Sequence, residues 1–203
     1  MSSRDDILAL VRANRPMMDR PLPLVPLFDD RPPASLLAAF KENLERMGGI
    51  FLDPPVTGDP LEPVRAQIVN AKFVCSTVPE IAGNCDIAAA RAPQDLADVD
   101  FAIVRAASAV AETGSVLLHD RELRVNAVAY LAQHLIVLLD PANIVVNLHH
   151  AYRRPEFRDG HYAAFHTGPS ATADIEGVLI HGAQGVRSLF VMPHASAAKK
   201  PAG

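Results

Sequence analysis

A chain of 203 residues suits one domain with a sizeable core, alone or with an extension. A formal net charge of −4 leaves no basic footprint for nucleic acid, and aromatics at 5% with no Trp disfavour base stacking. Cys75 and Cys85 lack CxxC spacing and cannot supply a four-thiolate cluster, so no iron–sulfur cluster is expected on this chain.

No apolar run approaches the roughly 18–20 residues that span a bilayer. Met1 leads into Ser2-Ser3-Arg4-Asp5-Asp6, which has no apolar core of a signal peptide behind it. The expectation is a cytoplasmic protein with reduced thiols and no membrane span.

Residues 4–14 suit a short helix with Ile7, Leu8, Leu10 and Val11 on one side. Pro16, Pro21, Pro23, Pro26, Pro32 and Pro33 then forbid regular structure. Leu22, Leu24, Val25, Leu27 and Phe28 are too apolar for a free linker, so this arm docks on a neighbouring surface or on another subunit of a homo-oligomer. The chain divides into a helix plus Pro-rich docking arm (1–33), a single α/β domain (34–195) and a frayed tail (196–203).

Within the domain, Leu36, Leu37, Phe40, Leu44 and Met47 recur at helical spacing until Gly48-Gly49 stops the helix. A strand over Ile50–Leu52, a helix over Leu61–Asn70 and a strand over Lys72–Ser76 follow. That order points to a mostly parallel sheet with helices on both faces. Phe101–Val104 is a further strand, and the small residues from Ala106 to Ala111 let elements approach closely. Val125–Gln133 is expected to be helical and Leu135–Leu139 to be a buried central strand. Asp140-Pro141 reads as a helix start, with Ile144, Val145, Leu148 and Tyr152 as the apolar stripe. Gly177–Ile180 and Ser188–Met192 are the last strand candidates.

The chemistry begins with exclusions. None of the eight His forms an HExxH-like pair, so no metal site is expected. No GxGxxG or GxxxxGK[ST] is present, and Ser170 lacks a GxSxG elbow. No covalently bound cofactor is implied, and the identity of any cofactor stays open.

Two turns combine acids with hydroxyls. The first is Glu112-Thr113-Gly114-Ser115, read either as a satisfied β-turn or as a site acid amid small apolar residues. The second is Gly168-Pro169-Ser170-Ala171-Thr172-Ala173-Asp174-Ile175-Glu176, read as a turn feeding a short helix. That helix start is either capped for its own sake or forms a nest for a carboxylate or phosphate. If both turns lie at carboxyl ends of parallel strands, they flank one crevice, with Glu112 and Asp174 as its catalytic candidates. Arg105 either pairs with a bound carboxylate or with an acid of the protein, or faces solvent.

Ala111-Glu112-Thr113-Gly114-Ser115 together with GPSATADIE at 168–176 closely resembles the lactate-utilization (LUD) domain family, over roughly Val99 to Pro193 and more weakly back to Ala34. The resemblance implies an α/β fold similar to the sugar-phosphate isomerases and family I CoA transferases. It also implies a place in bacterial oxidation of L-lactate to pyruvate, beside an iron–sulfur protein and a cysteine-rich partner. Where the family carries a Gly-Val-His-Gly-Pro turn, this chain has Gly182-Ala183-Gln184-Gly185-Val186. Gln184 hydrogen-bonds but does not transfer protons near neutral pH, and His181 lies three residues earlier.

The leading expectation is a non-redox component of a lactate-oxidation system that binds a small carboxylate or cofactor. Its ligand-binding candidates are Thr113, Gly114, Ser115, Gly168, Ser170, Thr172 and Gln184. The alternatives are a CoA-transferase-like or sugar-phosphate-isomerase-like enzyme, and an assembly subunit without catalysis.

Overall fold

The computed structural model describes residues 3–15, 23–159, 162–173, 179–181 and 185–195. In chain order its strands are β1 (Ile50–Phe51), β2 (Val74–Ser76), β3 (Phe101–Arg105), β4 (Ser108–Val110), β5 (Ser115–His119), β6 (His134–Leu139), β7 (Ile144–Val145), β8 (Ala163–His166), β9 (Ala171–Ala173), β10 (Leu179–His181) and β11 (Ser188–Pro193). A five-stranded parallel sheet runs β1-β11-β6-β3-β2, a four-stranded mixed sheet runs β7-β4-β5-β8, and β9 pairs with β10.

The apolar run at β6 takes the centre of the parallel sheet, where both faces of a strand are buried. Val137 stands opposite Val104 on one side and Val191 on the other. Leu135, Val137 and Leu139 turn toward one core, while Ile136 and Leu138 turn toward a second with Ile103, Phe190 and Met192. Each such side chain contributes about 1.5–3 kcal/mol on burial. Helix α2 (Leu36–Arg46) closes the first core with Phe40 and Leu44, and its Ser35 cap accepts from the Ala38 N–H. Helix α3 (Glu62–Ile68) closes the second with Val64.

Helices pack against both faces of the parallel sheet, and a mixed sheet that the sequence did not suggest joins them over the first core. Residues 106–111 are no mere spacer: Ser108–Val110 is a strand, antiparallel to β5 and parallel to β7. The expected helix from Asp140 is also corrected. Asp140 does cap a turn, accepting from the Ala142 N–H at 3.0 Å, but the turn ends at Asn143. The β-branched Ile144 and Val145 find ladder partners in Ala109 and Val110, which outweighs their helical spacing. The helix restarts as α6 (Leu148–Ala151), capped by Asn147. Two short helices, α4 (Asp120–Leu123) and α5 (Val128–Leu131), stand near the single one expected over 125–133.

The largest correction falls on the second motif. Gly168 and Pro169 do form a turn, but Ala171–Ala173 then enters a strand, with Thr172 opposite Ile180 and Ala171 opposite His181. Ser170 therefore leads into a strand, and among the described residues of this motif there is no helix for it to cap. Cross-strand partners answer the backbone groups that a helix would have satisfied. Asp174 and Glu176 lie outside the described residues.

Helix α1 (Ser3–Ala13) buries none of its residues. Between residues 23 and 33 the arm is irregular and passes over the start of α6. The Asn147 amide donates to the carbonyls of Leu27 at 2.7 Å and Phe28 at 3.1 Å, and His150 meets Asp29 at 3.1 Å. No described helix is long and apolar enough to cross a membrane.

Candidate functional site

The two motifs meet because β5 and β8 are antiparallel neighbours, with Val116 opposite His166. This register sets the first residue of β5 beside the residue after β8. Ser115 Oγ lies 2.6 Å from Thr167 Oγ1 and 2.7 Å from Thr113 Oγ1, so three hydroxyls form one row. The end of α2 lies across both motifs, and its Asn43 amide donates to the Ala111 carbonyl at 2.8 Å. Gly114 and Gly168 have φ of 65° and 68°. A Cβ on Gly114 would stand 2.2 Å from the Leu44 nitrogen, and one on Gly168 would stand 2.0 Å from the Met47 carbonyl oxygen. Close approach to α2 thus accounts for both glycines.

Two cavities open on either side of Phe165 and Thr167, which line both. The first, of about 400 Å³, has Arg46, Glu112, Thr113, Ser115 and Tyr152 in its walls. The second, of about 270 Å³, has Tyr130, His166, Gly168, Ser170 and Gly185. Glu112 and Ser170 therefore lie in adjoining cavities with a shared wall. Neither stands at a carboxyl end of the five-stranded sheet, so the crevice expected there from parallel-strand topology is corrected. Glu112 is not enclosed by small apolar residues either: it is exposed, and its carboxylate faces the Leu148 N–H at 3.4 Å. The Ser170 N–H donates to the Val186 carbonyl at 2.9 Å, which ties the second motif to the residues just before β11. Of the remaining candidates, Thr172 lies in β9, while Asp174 and Gln184 fall outside the described residues.

Besides Thr167, two residues escaped the sequence reading. His166 Nε2 is enclosed without a hydrogen-bond partner, and burial lowers the imidazole pKa to about 4. At neutral pH this ring is uncharged and holds a free position in the second cavity. The adjacent Tyr130, 5.1 Å away ring to ring, is pushed well above its usual pKa by burial and by its bond to the Tyr162 hydroxyl. The signal for His166 was its place directly before Thr167-Gly168-Pro169. The second missed residue, Arg46, lines the first cavity and bonds to Glu42 at 2.6 Å and Asn43 at 2.9 Å. Both partners of that ion pair are largely exposed, so the pair is weak and the guanidinium is available for exchange.

Arg105 pairs with Glu80 and donates to the His194 carbonyl at 3.2 Å, outside both cavities. Cys75 is buried, and burial followed by its contact with Cys85 pushes the thiol up to about 12, which leaves it inert as a nucleophile. Among the described residues, no group of three or more His, Cys, Asp or Glu is placed to hold a metal ion.

A search of curated proteins finds no match. Among solved structures, the chain is similar to the crystal structure of a DUF162 family protein from Deinococcus radiodurans, at 16% identity and a TM-score of 0.56. The match covers 77% of this chain and 94% of that one, and it bears on the fold. The family profile of the LUD domain matches residues 77–192, which takes in both turn motifs and more than half of the sequence. The chain belongs to the LUD domain family.

Proposed function

We propose that this chain is a cytoplasmic, non-redox component of a bacterial L-lactate oxidation system and that it binds a small carboxylate in the cleft between the two motifs. One observation carries the reading: the 2.6 Å bond from Ser115 to Thr167 joins the motifs into a row of hydroxyls in a cavity that Arg46 also lines. A guanidinium beside hydroxyl donors is a suitable set for a carboxylate. Glu112 at the same cavity discriminates against ligands of higher negative charge through like-charge repulsion. Across the shared wall, neutral His166 and Ser170 offer a proton acceptor and a hydroxyl. Thr172, Asp174 and Gln184 remain assigned to the site by resemblance alone. Electron transfer falls to iron–sulfur and cysteine-rich partners, since this chain has two cysteines and one is inert.

Thermal unfolding with L-lactate, pyruvate, acetyl-CoA and ribose 5-phosphate tests this reading. At a hundredfold excess over Kd a bound carboxylate adds about 2.7 kcal/mol of stability. Lactate or pyruvate is expected to stabilise the wild type and to lose that effect in Arg46→Gln. Stabilisation by acetyl-CoA or ribose 5-phosphate instead would favour transferase or isomerase chemistry, and no response at all would favour an assembly subunit.

A further inference from the structure

The first cavity is larger and less polar than a lactate-sized guest requires. At about 400 Å³ it lies within the range of about 300–1,000 Å³ typical of pockets that enclose a whole organic ligand. Lactate and pyruvate end in a single methyl group and leave much of that space unfilled.

One wall of this space is apolar. Leu148 opens α6 and Tyr152 ends it, one turn apart on the same side of the helix, and both line the cavity. Phe165 in β8 and Met47 at the end of α2 complete the wall. Tyr152 is 61% exposed and Met47 50% exposed, so each presents apolar surface that the fold itself leaves uncovered. Apolar side chains exposed singly need no explanation, but two beside one cavity mark a surface for a guest to cover.

The wall is preorganised for a ring. Tyr152 and Phe165 meet edge to face, with centroids 5.9 Å apart and planes at 80°. Phe157, in α7 (Glu156–Asp159), backs both, at 5.0 Å from Tyr152 and 5.7 Å from Phe165. Aromatic neighbours favour offset and edge contacts, so a further ring joins this cluster at low ordering cost. Met47 adds a thioether, which makes favourable contacts at ring edges.

Polar groups fix the other end of a guest. Arg46 supplies the guanidinium for a carboxylate. Thr113, Ser115 and Thr167 carry three hydroxyl protons for two mutual contacts, which leaves one proton to donate to a further oxygen of the guest. We propose that the first cavity binds an aromatic 2-hydroxy or 2-oxo monocarboxylic acid, with its carboxylate at Arg46 and its ring against Tyr152 and Phe165. This assignment rests on the carboxylate reading of the motif cleft and specifies the side group that reading leaves open.

The test is calorimetric titration of the full chain with L-lactate, L-3-phenyllactate and 2-phenylethanol, which keeps the ring and lacks the carboxylate. Phenyllactate is expected to bind at least about tenfold tighter than lactate, and phenylethanol to bind weaker than phenyllactate by a similar factor. Tyr152→Leu keeps apolar bulk without a ring and is expected to abolish most of the preference for phenyllactate, whereas Tyr152→Phe keeps it. Phenyllactate binding no tighter than lactate would overturn the proposal and leave the carboxylate reading standing. So would a Leu variant with the full preference. No binding of either acid, or phenylethanol matching phenyllactate, would overturn the carboxylate reading and the proposal with it.

Discussion

Ser115 Oγ and Thr167 Oγ1 lie 2.6 Å apart although 52 residues separate them in the chain. The bond depends on the β5–β8 register and on no local feature of either motif. A slip of β8 by one residue would turn Thr167 to the opposite face from Ser115 and dissolve the site. Fold and candidate site are thus coupled through a single strand pairing.

The hydroxyl row is expected to behave as a network. Thr167→Val leaves Ser115 its bond to Thr113 and is expected to cost about 1 kcal/mol, as is Thr113→Val. Together they strand a Ser115 side chain that is 3% exposed, so the double variant should lose more than the sum by about 1 kcal/mol. A double-mutant cycle in urea measures this, and strict additivity would mean that the three hydroxyls act singly.

Gly114→Ala forces a Cβ to within 2.2 Å of the Leu44 nitrogen in α2 and Gly168→Ala one to within 2.0 Å of the carbonyl oxygen of Met47, the residue that ends it, both from a left-handed conformation. Each is expected to lower stability by about 3 kcal/mol. The denaturation midpoint should fall with its slope unchanged. A near-neutral effect would show that α2 is not held against the motifs.

Much of the parallel sheet was legible because its strands are unbroken apolar runs: Leu135–Leu139 reads as a central strand and stands as one. The mixed sheet was not, because its strands are short and its pairings are remote. Ser108–Val110 carries little side-chain pattern, and Ile144 and Val145 mimic a helical stripe while pairing with Ala109 and Val110. The capping chemistry of Ser170 and Thr172 misled for the same reason, since the competing partner, β10, lies further along the chain. Composition placed the two hydroxyl turns in view, but only register shows that Thr167 and His166, rather than Ser170, stand next to the first motif.

His166 gives a pH signature. Its folded pKa of about 4 lies below the unfolded value of about 6.5. The unfolded chain therefore binds more protons between those values, and stability falls as pH drops from about 6.5 to about 4. Above that window both states are neutral at this ring and it contributes no pH dependence. The full loss is at most about 3 kcal/mol, and smaller where water reaches the ring. His166→Gln should flatten this part of the stability curve relative to wild type. A curve parallel to wild type through the window would mean that the ring is not desolvated.

Asn147 serves two structures with one side chain: its oxygen accepts from the His150 N–H at 3.1 Å, and its amide holds the Leu27 and Phe28 carbonyls. Asn147→Asp separates these roles, because a carboxylate still caps α6 but cannot donate to the arm. Asn147→Ala removes both and is expected to cost at least about 1 kcal/mol from the lost cap alone. The Asp variant sets a carboxylate against the Leu27 and Phe28 carbonyls, so the arm is expected to lift away and protease to cleave faster between residues 23 and 33, read by mass spectrometry, while the α6 cap is kept. Unchanged cleavage in the Asp variant would show that the arm is held by contacts other than the Asn147 amide. Loss of stability without faster cleavage would assign Asn147 to the helix alone.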